Sequence, residues 1–245
     1  MSEYEFFSRD ELYVFLLFCF LFIRFLRRWY LPLFRVWPED RNFNAKIVLG
    51  LLPVVSFVMI YITLKFFASY DVVDSILYQL FYIIFGYAWL YIGLVIMSFC
   101  FGLIWPDDVI HLNNKAALAA IIGGVLSLTA IYAGANIGDG PGWWCVLFAG
   151  GLGLAAWIIL GFVFHLFTGI FERITVDRDL GSGIRFCLYL VASGAILGYA
   201  CSGDWTSFSK TVEEFMVCWP VLPLTGIMIL VELFFKERAE HKRSV

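Results

Sequence analysis

The chain has 245 residues, of which 62% are hydrophobic and 19% aromatic, and its formal net charge is −3. Its mean hydropathy is +0.85, and long apolar runs recur from one end to the other, so the expected class is an all-α polytopic membrane protein. No basic stripe interleaved with aromatics stands in a soluble segment, so nucleic acid is not an expected partner. No connection exceeds about 20 residues, which leaves no room for a soluble catalytic domain.

In chain order, the apolar runs predict about seven spans, near residues 12–30, 47–68, 76–104, 117–135, 144–170, 184–201 and 214–235. The first is the weakest. Its core "LYVFLLFCFLFI" is shorter than the roughly 20 residues a crossing needs, and Arg24 closes it. It reads as a tilted span with Arg24 snorkelling to the interface, or else as a helix lying in the interface. The opening "MSEYE" is acidic and no small-residue cleavage site follows, unlike a secretory signal peptide.

Basic residues orient the spans. Arg27, Arg28, Arg35, Arg41 and Lys46 follow the first span. Lys115, Arg173, Arg178 and Arg185 stand in later loops on the same side, and Lys236, Arg238, Lys242 and Arg243 stand in the tail. The other side holds only Arg9 and Lys210. The positive-inside rule then puts the N-terminus outside and the C-terminus in the cytoplasm.

The sequence also repeats. "WPED" at 37–40 and "WPDD" at 105–108 are 68 residues apart, as are Asp71 and Asp139. A further shift of 65 carries "FERI" (171–174) onto "KERA" (236–239) and Gly138-Asp139 onto Gly203-Asp204. The expected organisation is one leading helix with its basic segment (1–36) and three tandem two-helix hairpins. These cover 37–104, 105–170 and 171–245, the last with a basic cytoplasmic tail.

The outer turn "GANIGDGPGWW" is the least ordinary stretch. One reading is a plain turn: glycines end one helix, Pro141 opens the next, Asp139 caps it, and Trp143 and Trp144 anchor it at the headgroups. The other is a cation site shared by the equivalent aspartates Asp71, Asp139 and Asp204 under approximate threefold symmetry.

Charges inside spans invite a functional reading. Lys65 sits near the outer end of its helix and reads as snorkelling. His165 and Glu232 fall at similar depth near the cytoplasmic face, so they could form a buried polar pair or a proton relay. Asp107, Asp108 and His111 in "PDDVIH" could hold a metal, or simply place acidic residues in a first helical turn. Cys145 and Cys201 share a face and could pair. No nucleophilic triad, HExxH, P-loop or dinucleotide fingerprint occurs, so neither enzymatic activity nor a cofactor is expected.

"PDDVIHLNNKAALAAIIGGVLSLTAIYAGANIGDGPGWW", and again "FERITVDRDLGSGIRFCLYLVASGAILGYACSGDW", resemble the small bacterial inner-membrane proteins of the domain-of-unknown-function family 350. The likeness covers about residues 104–240. It implies a bacterial inner-membrane protein built of hairpins and brings no catalytic residues with it. The expected function is a non-enzymatic membrane subunit or scaffold, whose small-residue helices pack against lipids, other integral membrane proteins or a second copy. A small ion- or proton-coupled transporter or channel using His165 and Glu232 is the alternative.

Overall fold

The computed structural model describes residues 9–35 and 43–244, so Glu39 and the rest of "WPED" lie outside the described residues. The described residues are helical: α1 (Arg9–Arg35), α2 (Phe43–Phe66), α3 (Tyr70–Val73), α4 (Ile76–Phe101), α5 (Lys115–Ala135), α6 (Trp143–Thr168), α7 (Ile170–Thr175), α8 (Leu180–Ala200), α9 (Phe208–Phe215) and α10 (Val221–Ser244). A π-helical turn at Pro106–His111 precedes α5, and a 3-10 turn at Met216–Cys218 separates α9 from α10. The last expected span is therefore broken at its start. Pro220 lacks the N–H that would carry α9 onward, and α10 begins immediately after it.

Among the described residues, six helical segments are long and apolar enough to cross a bilayer: Asn44–Phe66, Ile76–Phe101, Lys115–Ala135, Trp143–Thr168, Leu180–Ala200 and Phe208–Arg238. The chain is thus an all-α membrane protein. α1 is too charged to join that group on composition, yet it runs alongside α4 over most of its length. Phe18 stacks on Phe85 with ring centroids 4.1 Å apart, Phe25 meets Tyr87 at 5.3 Å and Trp29 meets Trp105 at 4.8 Å. Its 27 residues, roughly 40 Å of helix, traverse the same depth as α4.

The contact of α1 with α2 has a specific cause. Pro53 stands inside α2 and cannot donate to the carbonyl four residues earlier, that of Leu49. The buried indole of Trp29 donates to this same oxygen at 2.8 Å. The Tyr30 hydroxyl donates to the next carbonyl, Gly50, at 3.3 Å, and Tyr87 donates to Pro53 O at 2.9 Å. With no water to stand in, α1 and α4 satisfy the backbone that the proline disturbs.

α5 is the centre, packed on α2, α4, α6 and α8. It meets α8 backbone to backbone, because small residues face each other along the whole seam. A Cβ at Gly123 would lie 2.8 Å from Cys187 Cα, and one at Gly183 would lie 2.6 Å from Ala116 Cα. One at Gly134 would overlap Gly198 O. Ser127 donates across the seam to Leu190 O at 2.5 Å, and Trp89 donates from α4 to Leu128 O at 3.1 Å. Such close approach is how small residues join helices in lipid, where no hydrophobic effect draws helices together.

α5 and α8 match at a shift of 65. Both have 21 residues, with N-caps Asn114 and Asp179. Each cap is preceded by a non-glycine residue at positive φ, Asn113 at 53° and Arg178 at 54°. Each helix is followed by a positive-φ glycine, Gly138 or Gly203. We call the end of the bundle holding Gly138 and Gly203 the turn face, and the end holding Asn114 and Asp179 the basic face.

Candidate functional site

At the turn face, successive hairpin turns hook onto one another. Gly138 N–H donates to Phe67 O at 3.2 Å, and Gly203 N–H donates to Ile137 O at 3.0 Å. Asp139 does not cap α6, whose N-cap is Gly142 without a side-chain bond. Instead, the Asp139 N–H donates to the Asp204 carboxylate at 2.8 Å, and the Asp139 carbonyl accepts from Trp205 N–H at 2.7 Å. Asp71 stands in α3, where its carboxylate accepts from the Ser69 hydroxyl. The three aspartates do not converge on a cation. No cluster of three or more His, Cys, Asp or Glu able to hold a metal forms among the described residues.

Trp143 and Trp144 pack on other elements of the bundle. Trp143 packs edge-on to Phe18 of α1 at 6.4 Å, and Trp144 packs edge-on to Trp205 at 4.8 Å. Lys65 donates to Val73 O at 3.2 Å, capping α3. A cleft of about 600 Å³, counting its open mouth, lies among these turns, with Asn136, Cys145, Cys201, Trp205 and Glu214 in its wall. All six cysteines are free. Cys201 instead donates its thiol to Ala149 O at 3.1 Å.

At the basic face, Glu232 and His165 have different partners. Glu232, on α10, is fully buried. Its Oε1 accepts from the Ser182 hydroxyl at 2.6 Å and lies 2.7 Å from Arg173 Nη1, off hydrogen-bond geometry. Its Oε2 accepts from Arg185 Nε at 2.5 Å, and the Arg185 guanidinium also lies over the Phe235 ring at 4.6 Å. Asp179 extends the cluster by accepting from Arg173 Nη2 at 2.9 Å and Ser182 Oγ at 2.7 Å, while its other oxygen caps α8 through Gly181 N–H. Ser182 has a single hydrogen to share between the two carboxylates, and Arg185 Nη2 donates to its oxygen at 3.1 Å. Burial raises the Asp179 carboxyl. The bonds from Ser182 and Gly181 and the charges of Arg173 and Arg185 outweigh that and hold it below the usual carboxylate range.

His165 stacks on Phe171 at 4.1 Å. Its Nδ1 accepts from Phe171 N–H at 3.4 Å and lies 3.5 Å from Glu172. The expected His165–Glu232 pair does not form, because the two neighbouring arginines satisfy the buried carboxylate. In the π-helical turn, the Asp108 carboxylate accepts from Ile104 N–H at 2.8 Å, closing the turn locally.

Chemically, the basic-face cluster is two guanidiniums matched by two carboxylates around one hydroxyl. It fastens α10 to α7 and α8. Arg173 and Arg185 were legible in the sequence only as loop charges. The usable signal was that Arg185 and Glu232 both interrupt apolar runs at similar depth.

No family model, no curated protein and no solved structure matches this chain.

Proposed function

We propose that this integral membrane protein is a non-enzymatic subunit or scaffold, packing against lipids and other membrane proteins. The observation that carries the reading is the α5–α8 seam, where backbone meets backbone through the bundle centre and leaves no room for a substrate. A carrier needs a polar site near the midplane. The polar side chains of these central helices are instead spent on their neighbours: Ser127 on Leu190 O, Tyr132 on Tyr82 O, Thr129 on Val125 O and the Ser56 hydroxyl, and Tyr189 on the Thr225 hydroxyl.

The reading includes an N-terminus outside, a C-terminus in the cytoplasm and a bacterial inner membrane. The charge bias supports the orientation, and the likeness of residues 104–240 to the uncharacterised family supports the location. The matched caps and turns of α5 and α8 support an origin of the hairpins as tandem copies. The test is flux. Vesicles reconstituted with the pure protein should show no proton, sodium or potassium movement above empty vesicles. A protein-dependent flux sinks the scaffold reading.

A further inference from the structure

Arg24 and Arg28 lie one turn apart on α1 and share a face. Both are exposed on the flank of the bundle, and their guanidinium groups both interact with the Tyr91 hydroxyl of α4. Neither makes an ion pair with a carboxylate among the described residues. Guanidiniums at this depth are costly in a bilayer unless an anion meets them. Directly beside Arg28, α1 and α4 leave a cleft of about 320 Å³, counting its open mouth, lined by Phe25, Trp29, Leu94, Val95, Ser98 and Trp105. Cationic donors thus stand at the edge of an apolar cleft, next to the paired tryptophans Trp29 and Trp105.

We propose that this cleft binds an anionic phospholipid of the leaflet at the basic face. The two guanidiniums hold the phosphate, with forked donors that match its oxygens. Tyr91 stands with Arg28 in the cleft wall, where its O–H can donate to a phosphate oxygen. An acyl chain lies against Phe25, Leu94 and Val95. Basic pockets between transmembrane helices bind acidic headgroups by the same logic. The site requires only that the chain sits in a bilayer, and it stands apart from the scaffold reading.

Native mass spectrometry of the detergent-solubilised protein, titrated with dioleoylphosphatidylglycerol or dioleoylphosphatidylcholine, tests it. The wild type should retain phosphatidylglycerol in preference to phosphatidylcholine. Arg24→Gln with Arg28→Gln should weaken phosphatidylglycerol binding about tenfold and leave phosphatidylcholine unchanged. Tyr91→Phe, which keeps the ring and both arginines, should weaken it about threefold and reads the site should the double variant fail to fold. Glycerol 3-phosphate, with the same phosphate and no chains, should not displace the lipid at equal concentration. An unchanged preference in the variants overturns the proposal, as does displacement by glycerol 3-phosphate.

Discussion

Replacing Trp29 by Phe removes the indole N–H that reaches Leu49 O at 2.8 Å and keeps an aromatic ring in place. That oxygen has lost its own helix donor to Pro53, and Leu49 is fully buried, so the substitution strands a carbonyl in an apolar surround. A stranded buried polar group costs about 1–3 kcal/mol, while cross-helix hydrogen bonds in membrane proteins average about 0.6 and reach about 1.7 kcal/mol. Pro53→Ala supplies an N–H at the position that serves Leu49 O in an unbroken helix. The loss of ring area is common to both backgrounds, so a double-mutant cycle isolates the carbonyl. Trp29→Phe should cost about 1 kcal/mol more in the wild-type background than in the Pro53→Ala background. Reversible unfolding in mixed micelles of the four proteins measures this. Equal costs in the two backgrounds, within the roughly 0.3–0.5 kcal/mol of ordinary additivity, would refute the assignment of Trp29 as the donor that replaces Pro53.

Glu232→Gln leaves Arg173 and Arg185 poorly matched in their buried cluster and should cost about 3–5 kcal/mol, and removing Arg173 as well should restore part of it; an unfolding titration of single and double variants reads both. The depressed Asp179 carboxyl contributes stability that is complete above its unfolded pKa of about 3.9 and is lost as pH falls through the lower folded value. Asp179→Asn should therefore flatten the acid limb of a stability–pH profile. Gly134→Ala, pressed onto Gly198 O, should destabilise by about 1–3 kcal/mol. Gly151→Ala, with open space around its Cβ, should be neutral or gain up to about 1 kcal/mol in thermal unfolding. A membrane-impermeant maleimide should label Gly140→Cys and Asp177→Cys from opposite sides of sealed vesicles.

The crossings were legible because run length and apolarity alone set them, and α4, α5 and α6 begin within two residues of their expected starts. α8 shows what that measure misses. Read as beginning at 184, it leaves Arg185 at the membrane edge. It in fact begins at Leu180, behind the Asp179 cap, and carries Arg185 a turn deeper to meet Glu232. The partner of a buried charge depends on which helices touch, and Arg185 and Glu232, 47 positions apart, leave no local trace of that contact. His165 goes the other way: its neighbours are the nearby Phe171 and Glu172, not a residue of α10. Asp139 was read as a helix cap from its place before Pro141, but the turn continues through Gly142 and its amide belongs to the next hairpin.

The bonds that join the turns have a direction in time. Gly138 reaches back to Phe67, Gly203 to Ile137 and Trp205 to Asp139, so each acceptor carbonyl has left the ribosome before its donor is made. These three backbone donors let each turn dock on one already in the membrane, while the Asp139 N–H and the Ser127 hydroxyl wait for the later Asp204 and Leu190. Glu232 comes last of all, meeting two arginines already placed by α7 and α8. Both arginines precede Glu232 in the chain, so a permutation that placed α10 ahead of α7 would insert Glu232 into lipid before either cation is made.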